Sequence, residues 1–476
     1  MFESSWALLT PVEQAQLASI SVFLGPFSER SAEAITEATL YELQILVEKS
    51  LLQKQGDRFA LHPLLRQFAA EKLANFPENK VTVRHSHYYL QAVADLGAAL
   101  NGEMPQLAVQ RIAGAWANVK GAGETAVAGG NWDRLLSALI PLSDFCQIRG
   151  LYREGLRLFG RAAERLRQIE TETAKEDFAH FLAQQAAMLV RLSDYPQAIQ
   201  SSQQAAALTT NNWLAARLLI TQGEALWRQG EFVQAESFLN QAQNLAQSIS
   251  NEKLLGLTQF HLGVIYLFKG ENLEAQQYLN ESLAVWRRQK NRRWQGFTLI
   301  SLGSVATRLG KFEEALSYLT EALRINEGNG DQQGQILALT NLGLLATEQK
   351  AFEQARRHFQ QALARAQATG DRNNQALQLY NLAWCAKEAQ EWPDAEHFAN
   401  KALVLLKEVK NSRGIGLAHG LLGDVAAANG RSSLARQHYQ TSLTISEEIG
   451  YKQMVDYLNK ALHELRGGEA KKEAND

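Results

Sequence analysis

Residues 302–323 read LGSVATRLGKFEEALSYLTEAL. Small side chains stand at Gly303, Ala315 and Ala322, and large apolar ones at Leu302, Phe312, Tyr318 and Leu323. Gly310 separates two helical runs. Two helices joined by a tight turn approach closely only where the facing side chains are small, and the large ones fill the space around that contact. The stretch predicts a helical hairpin.

The same reading recurs outward in steps of forty residues. Ala235, Ala275, Ala315, Ala355, Ala395 and Ala435 form one ladder, and Gly223, Gly263, Gly303, Gly343, Ala383 and Gly423 form another twelve residues upstream. Leu262, Leu302, Leu342, Leu382 and Leu422 precede the second ladder, with Gln222 the exception. Seven residues past each ladder alanine stand Ala242, Ser282, Ala322, Ala362, Ala402 and Ser442; three past it stand Phe238, Tyr278, Tyr318, His358, Phe398 and His438. Two earlier units, at Tyr195 with Ala198 and at Gly150, Tyr152 and Gly155, fit at intervals of 43 and 37, which makes eight helix pairs. One hairpin cannot bury its apolar face alone, so the units stack. Gly230, Gly270, Gly310 and Gly430 fall in the hairpin turns, where positive φ is expected. Lys350 and Gln390 replace that glycine and Asn272 and Ser432 replace the aromatic, so those units are expected to be looser. Asn211, Asn251, Asn291, Asp331, Asp371 and Asn411 are N-cap candidates, and Pro196 and Pro393 suit a first helical turn.

The signature Leu302, Gly303, Gly310, Phe312, Ala315, Tyr318, Ala322 and Leu323 resembles the tetratricopeptide repeat, over about residues 131–450. The longer unit is similar to the forty-residue variety of signalling scaffolds and regulatory ATPases. The resemblance implies a right-handed superhelix whose first helices line a concave groove. The expected fold is mainly α, with eight such hairpins behind a different N-terminal domain.

In that N-terminal part, Thr10-Pro11-Val12-Glu13 reads as a capping-box helix start. Helices are expected to about Val22, over Ser31–Glu37 and over Leu40–Lys49. A short hairpin follows, Leu51–Lys54 and Arg58–Leu61 about Gly56-Asp57, then a helix over Leu64–Leu73. Three helices and a two-stranded wing give a winged-helix order. Phe2, Ser5, Trp6, Ser21-Val22-Phe23, Leu46-Val47, Lys49-Ser50-Leu51-Leu52 and Leu61-His62, with Leu64-Leu65-Arg66-Gln67-Phe68, resemble the winged-helix segment of STAND (NB-ARC-type) signalling ATPases. The resemblance implies that His62 senses the β-phosphate of a nucleotide held by a neighbouring domain. Pro63 stands where many members carry Asp, and packing of His62 at the end of the wing is the competing reading. No G-x-x-x-x-G-K-[ST] phosphate loop occurs in the 476 residues. The switch ATPase is therefore expected on another stretch of chain, with this one a fragment or split product. As a DNA reader the third helix is poor: Tyr41, Glu42, Glu48 and Lys49 are not a basic surface.

The expected domains are 1–76, winged-helix-like; 77–130, a helical connector covering the first apolar edge of the solenoid; 131–466, the repeats; and 467–476, a disordered tail. Lys+Arg number 48 against 50 Asp+Glu, a net charge of −2 that argues against coating nucleic acid or anionic membrane. Cys146 and Cys385 cannot make a disulfide framework, and the first residues lack a secretory pattern. No apolar run approaches a membrane span. A cytoplasmic setting is expected.

Chemistry is sparse. His85 and His87, two apart on a helix, point to different faces and do not suit one metal ion. His358 and His438 occupy a packing position. Neither a nucleophile elbow nor a metal-ligand spacing occurs, so no enzyme activity, cofactor or metal is expected. Arg287, Arg288, Lys290, Arg292 and Arg293, between Trp286 and Trp294, read as a solvated turn before an anion grip. The remaining candidate is the groove implied by the resemblance, lined by Arg217, Glu224, Trp227, Arg228, Phe260, Phe268, Phe297, Arg308, Tyr380, Trp384 and Lys387. Aromatics beside arginines suit binding hot spots, and packing between helices is the equal alternative. The expected function is the protein- or peptide-binding sensor arm of a STAND-type regulator, with a nucleotide-binding domain as a further partner. An autonomous adaptor and a DNA-binding regulator are the alternatives.

Overall fold

The computed structural model describes residues 2–76, 80–102, 105–449 and 451–473, with side chains as far as 466. The chain is a mainly α solenoid of consecutive helix pairs. It divides into two compact units, Met1–Gln147 with Leu151–Leu214 and Ile148–Gly150 with Ala215–Asp476.

The first unit opens with α1 (Phe2–Ala7), α2 (Pro11–Ile20), β1 (Phe27–Ser28), α3 (Glu29–Thr36), α4 (Leu40–Glu48), β2 (Gln53–Gln55), β3 (Arg58–Ala60) and α5 (Pro63–Leu73). Thr10, Ser28 and Thr39 start α2, α3 and α4 with reciprocal capping boxes, so local side-chain chemistry sets these boundaries. The strands pair antiparallel in the order β1-β3-β2, with Phe27 opposite Phe59. The hairpin was legible, but β1 was not: two residues give no alternation to read. Phe23, Phe27 and Phe59 form a buried aromatic seam over this sheet.

Then follow α6 (Val81–Asp95), α7 (Gly97–Leu100), α8 (Pro105–Gly114), α9 (Trp116–Gly129), α10 (Trp132–Arg149), α11 (Tyr152–Leu166), α12 (Glu172–Arg191) and α13 (Tyr195–Ala206). The fully buried Asn118 on α9 ties these helices to the N-terminal segment: its Oδ1 accepts from Leu24 N at 2.7 Å and its Nδ2 donates to Pro26 O at 3.2 Å. His85 lies beside the same amide, edge-on to Phe23. Burial drives its pKa down to about 4, so it is neutral near pH 7.

The hairpins continue with α14 (Asn212–Gln229), α15 (Phe232–Ser248), α16 (Glu252–Lys269), α17 (Asn272–Arg288), α18 (Arg292–Arg308), α19 (Phe312–Asn329), α20 (Gln332–Glu348), α21 (Phe352–Ala368), α22 (Arg372–Glu388), α23 (Trp392–Glu408), α24 (Ser412–Ala428) and α25 (Ser432–Glu448). Each expected Asn or Asp caps its helix, as where Asp331 accepts from Gly334 N at 2.9 Å. The glycine ladder faces a large side chain sixteen residues on. A Cβ at Gly303 would lie 2.6 Å from Leu319 Cγ; one at Gly343 would lie 2.5 Å from Phe359; one at Gly423 would lie 2.5 Å from Tyr439. Ala383 breaks the ladder where the facing residue is Ala399, so the extra methyl is matched by a smaller partner. At Ser282 and Ser442 the buried hydroxyls donate to Gly256 O and Gly416 O at 2.8 and 2.7 Å.

Lys350 and Gln390 are not looser than the turn glycines. Their φ values of 60° and 61° repeat the left-handed turn, closed by Ala351 N to Ala346 O and Glu391 N to Ala386 O. The same closing bonds force the same conformation, with the cost appearing as strain. A last helix, α26 (Lys452–Glu473), lays Met454, Leu458 and Leu462 on the final hairpin. It runs through the first residues of the expected 467–476 tail, because Glu469, Ala470, Lys471 and Lys472 are strong helix formers; residues 474–476 lie outside the described ones.

Gly303→Ala should destabilise by about 1–3 kcal/mol through overpacking, whereas Lys350→Gly and Gln390→Gly should each stabilise by about 1 kcal/mol by relieving positive φ. Urea midpoints at unchanged slope would check both. Buried His85 and, on α24, His419 are held near a pKa of about 4, against 6.5 when unfolded, chiefly by burial. The unfolded chain therefore takes up protons first, and their contribution is complete above pH 6.5 and lost as pH falls toward 4. The thermal midpoint should fall across that window, and less steeply in His419→Leu.

Candidate partner-binding face

The eleven residues expected to line a groove all lie on first helices of the hairpins, α14, α16, α18 and α22. The structure gathers them into two tiers. In the first, Trp227 stacks on Phe268 of the next unit with ring centroids 5.6 Å apart, and Phe268 stacks on Phe232 at 6.0 Å. The Arg228 guanidinium lies 4.5 Å from the Trp227 ring centroid and donates from Nη2 to Glu224 Oε1 at 2.9 Å. Trp227 Nε1 donates to Nδ1 of buried His261 at 3.3 Å, which fixes that imidazole as the acceptor tautomer. Phe260 meets Trp294 edge-on at 5.3 Å, and Trp294 meets Phe297 at 5.7 Å. Trp227, Phe260, Phe268 and Phe297 are half-buried, and so is Arg217, whose carbonyl accepts from Thr221 Oγ1. These rings pack between repeats and remain partly exposed.

Arg308 belongs to the scaffold: its Nη1 donates to Leu267 O at 2.6 Å, satisfying a carbonyl in the last turn of α16. The second tier is built on Asp424, which the sequence reading missed. Lys387 Nζ lies 3.1 Å from Asp424 Oδ2, and Tyr439 donates to Oδ1 at 2.9 Å, as does Tyr457 of α26. Half-buried Trp384 and Tyr380 belong to the adjoining core cluster. Burial, with Asp424 nearby, raises the Tyr380 pKa above its ordinary value, so it stays a neutral hydroxyl. Between the tiers the same face is polar: Ser304 donates to Asn341 at 2.7 Å and Thr340 to Gln378 at 3.1 Å. His261 and Asp424 carried no motif; only their place in the forty-residue register singles them out.

His62 is exposed and is the N-cap of α5, its Nδ1 accepting from Leu64 N at 3.3 Å. The basic cluster dissolves into separate duties. Arg293 is buried and pairs with fully buried Asp331 at 3.1 Å, Arg288 pairs with Glu252 at 3.3 Å, and Arg287 reaches Glu321 at 4.0 Å. Trp286 is fully buried and stacks on Trp294. Among the described residues no three His, Cys, Asp or Glu side chains form a metal-binding group, and no helix is long and apolar enough to cross a membrane.

Residues 254–328 and 335–408 match the family model of the tetratricopeptide repeat. Curated proteins of Mycobacterium tuberculosis and Mycobacterium bovis, named as HTH-type transcriptional regulators, are 29% identical over 221 residues, covering 43% of this chain and 25% of theirs. The chain thus spans about a quarter of the length of those relatives. A STAND protein with a tetratricopeptide repeat sensor, from Pyrococcus horikoshii, superposes with a TM-score of 0.57 at 16% identity, covering 97% of this chain and 67% of that one. A Rap protein complexed with competence and sporulation factor gives 0.51 at 13% identity, covering 73% and 99%. The Rap conjugation gene regulator of plasmid pLS20, in complex with the Phr* peptide, gives 0.51 at 12%, covering 68% and 96%. At these identities the likeness is one of fold.

Breaking the Arg293–Asp331 pair by Asp331→Ala leaves a buried guanidinium unpaired and removes the cap of α20. A loss of about 3–5 kcal/mol is expected, read as a drop in the denaturant midpoint. Asp371→Ala, which removes a cap and the Asn374 Nδ2 bond but strands no buried cation, should cost about 1–2 kcal/mol.

Proposed function

We propose that the chain is a protein-interaction arm that holds a peptide or protein partner on the first-helix face of its second unit. The observation that carries this reading is the half-exposed tier of Trp227, Phe268 and Phe232 under the Arg228 guanidinium. Aromatic and arginine side chains dominate binding hot spots, and rings already fixed by stacking lose little freedom when a partner arrives. The polar stretch through Ser304, Asn341 and Gln378 can meet the main chain or polar side chains of a partner. Two neighbours in fold are described as complexes with competence and sporulation factor and with the Phr* peptide, which supports a peptide-sized occupant.

The wider role is the sensor half of a STAND-type regulator, in a cytoplasmic setting. In that role α1–α5 act as a winged helix, and a nucleotide-binding domain packs on them at His62. The order of a helix-and-strand segment before repeats supports it, as does the fold likeness to the Pyrococcus protein. A partner that binds the repeats more tightly in one state of such a switch shifts its equilibrium by that difference in affinity. The name of the mycobacterial relatives favours a second reading, DNA binding through α1–α5. The charge of α4 opposes it: Glu42 and Glu48 stand where phosphate contacts need cations.

Peptides selected against the whole chain from a random display library should bind with micromolar affinity. Trp227→Ala and Trp384→Ala should each weaken them at least tenfold with circular dichroism unchanged. Selected peptides that ignore both substitutions would end the reading. A gel shift at 150 mM salt with duplex DNA of random sequence would decide the second.

A further inference from the structure

The first unit carries a charged surface of its own. Helix α11 carries Arg153, Arg157, Arg161 and Arg165 at spacings of four, all exposed. Four arginines in this register line one helix face over about 18 Å. Arg161 reaches a single carboxylate, Glu124 on α9, at 3.6 Å with its side chain 60% exposed. Among the described residues no carboxylate lies within ion-pair distance of Arg153, Arg157 or Arg165. In the second unit Arg431 pairs with Glu396 and Arg365 with Glu327.

The stripe borders a cleft between α9, α10 and α11. Half-buried Leu158 forms its apolar mouth over buried Val127, Leu142 and Phe159, and Lys120, Glu124, Glu154, Arg157 and Arg161 stand among its lining residues. Trp116, also in the lining, is already occupied, donating to Glu154 Oε2 at 2.7 Å. Arginine stripe and apolar cleft together match one kind of occupant. An amphipathic helix with carboxylates at i, i+4 and i+8 can meet the arginines with bidentate pairs while an apolar side chain packs on Leu158 at the mouth of the cleft. A nucleic-acid strand fits less well. The cleft indole, Trp116, has Phe145 at 5.0 Å between ring centroids and Lys120 Nζ at 5.9 Å, which crowds its faces against base stacking.

We infer that α11 and the cleft beside it form a second docking surface, which takes an acidic amphipathic helix of a partner protein. This surface is independent of the proposed binding face on the second unit.

The probe is a fluorescein-labelled fifteen-residue helical peptide of glutamate and leucine, with glutamates repeating every four residues, titrated against the whole chain by anisotropy. Binding is expected in the micromolar range at 50 mM NaCl, weakening at least tenfold at 300 mM. Arg157→Glu with Arg161→Glu should weaken it at least tenfold. Arg153→Glu with Arg157→Glu, which leaves the Glu124 contact in place, should do the same and guards against misfolding of the first variant. Replacing the leucines by alanine should weaken the peptide severalfold, and Trp227→Ala should leave it unchanged. Absence of saturable binding would overturn the inference, as would indifference to both double reversals. So would equal binding of the alanine peptide, or tighter binding of a fifteen-nucleotide single strand. Failure here leaves the groove reading standing, because that reading is tested by its own tryptophan variants.

Discussion

The architecture rests on one steric complementarity: a residue without a side chain opposite a large one, across the two helices of a hairpin. Gly263, Gly303, Gly343 and Gly423 leave no space for a Cβ beside Leu279, Leu319, Phe359 and Tyr439. Close approach brings dispersion contacts that a wider gap would forfeit. The alanine ladder lies fully buried next to it, so each hairpin is a thin, dry sandwich. Everything else is placed by this contact. The turns must be left-handed to bring the helices so near, and the first helices then stand in register, with equivalent positions side by side.

That register is why the fold was so legible. A period of forty visible in glycine and alanine is the packing constraint written out directly, and the N-caps repeat with it. The candidate face was legible only in part. Periodicity tells which residues share a face, but not which of them spend their polar groups on the scaffold. Arg308 looked like a groove cation and proves to cap a carbonyl of α16; Arg293 looked solvated and proves to be buried against Asp331. Both outcomes depend on partners some forty residues away, Leu267 and Asp331, whose roles no local pattern announces. The aromatics show the same limit: Trp227 stacks on Phe268 and is still only half-buried.

Charge on the first-helix face is largely paired within the chain. Glu224 with Arg228 and Asp424 with Lys387 are pairs formed before any partner arrives. A partner meeting such a surface need not desolvate a naked charge, and specificity falls to shape and to the aromatic edges. The arginines of α11 are the contrast: little in the chain neutralises them, and they stand in the first unit.

Because the small residue and its large counterpart belong to one hairpin, every forty-residue segment carries both halves of its own fit. Ala383 with Ala399 shows the two halves changing together inside a single segment while its neighbours keep glycine and a large side chain. Duplication or deletion of a whole segment therefore preserves each internal match. A recombination point inside a segment separates the halves and sets a methyl against a bulky ring, or a glycine against nothing. Lineages that lengthen or shorten such a chain are thus steered toward joints at the loops between hairpins, and the array evolves by counting whole modules.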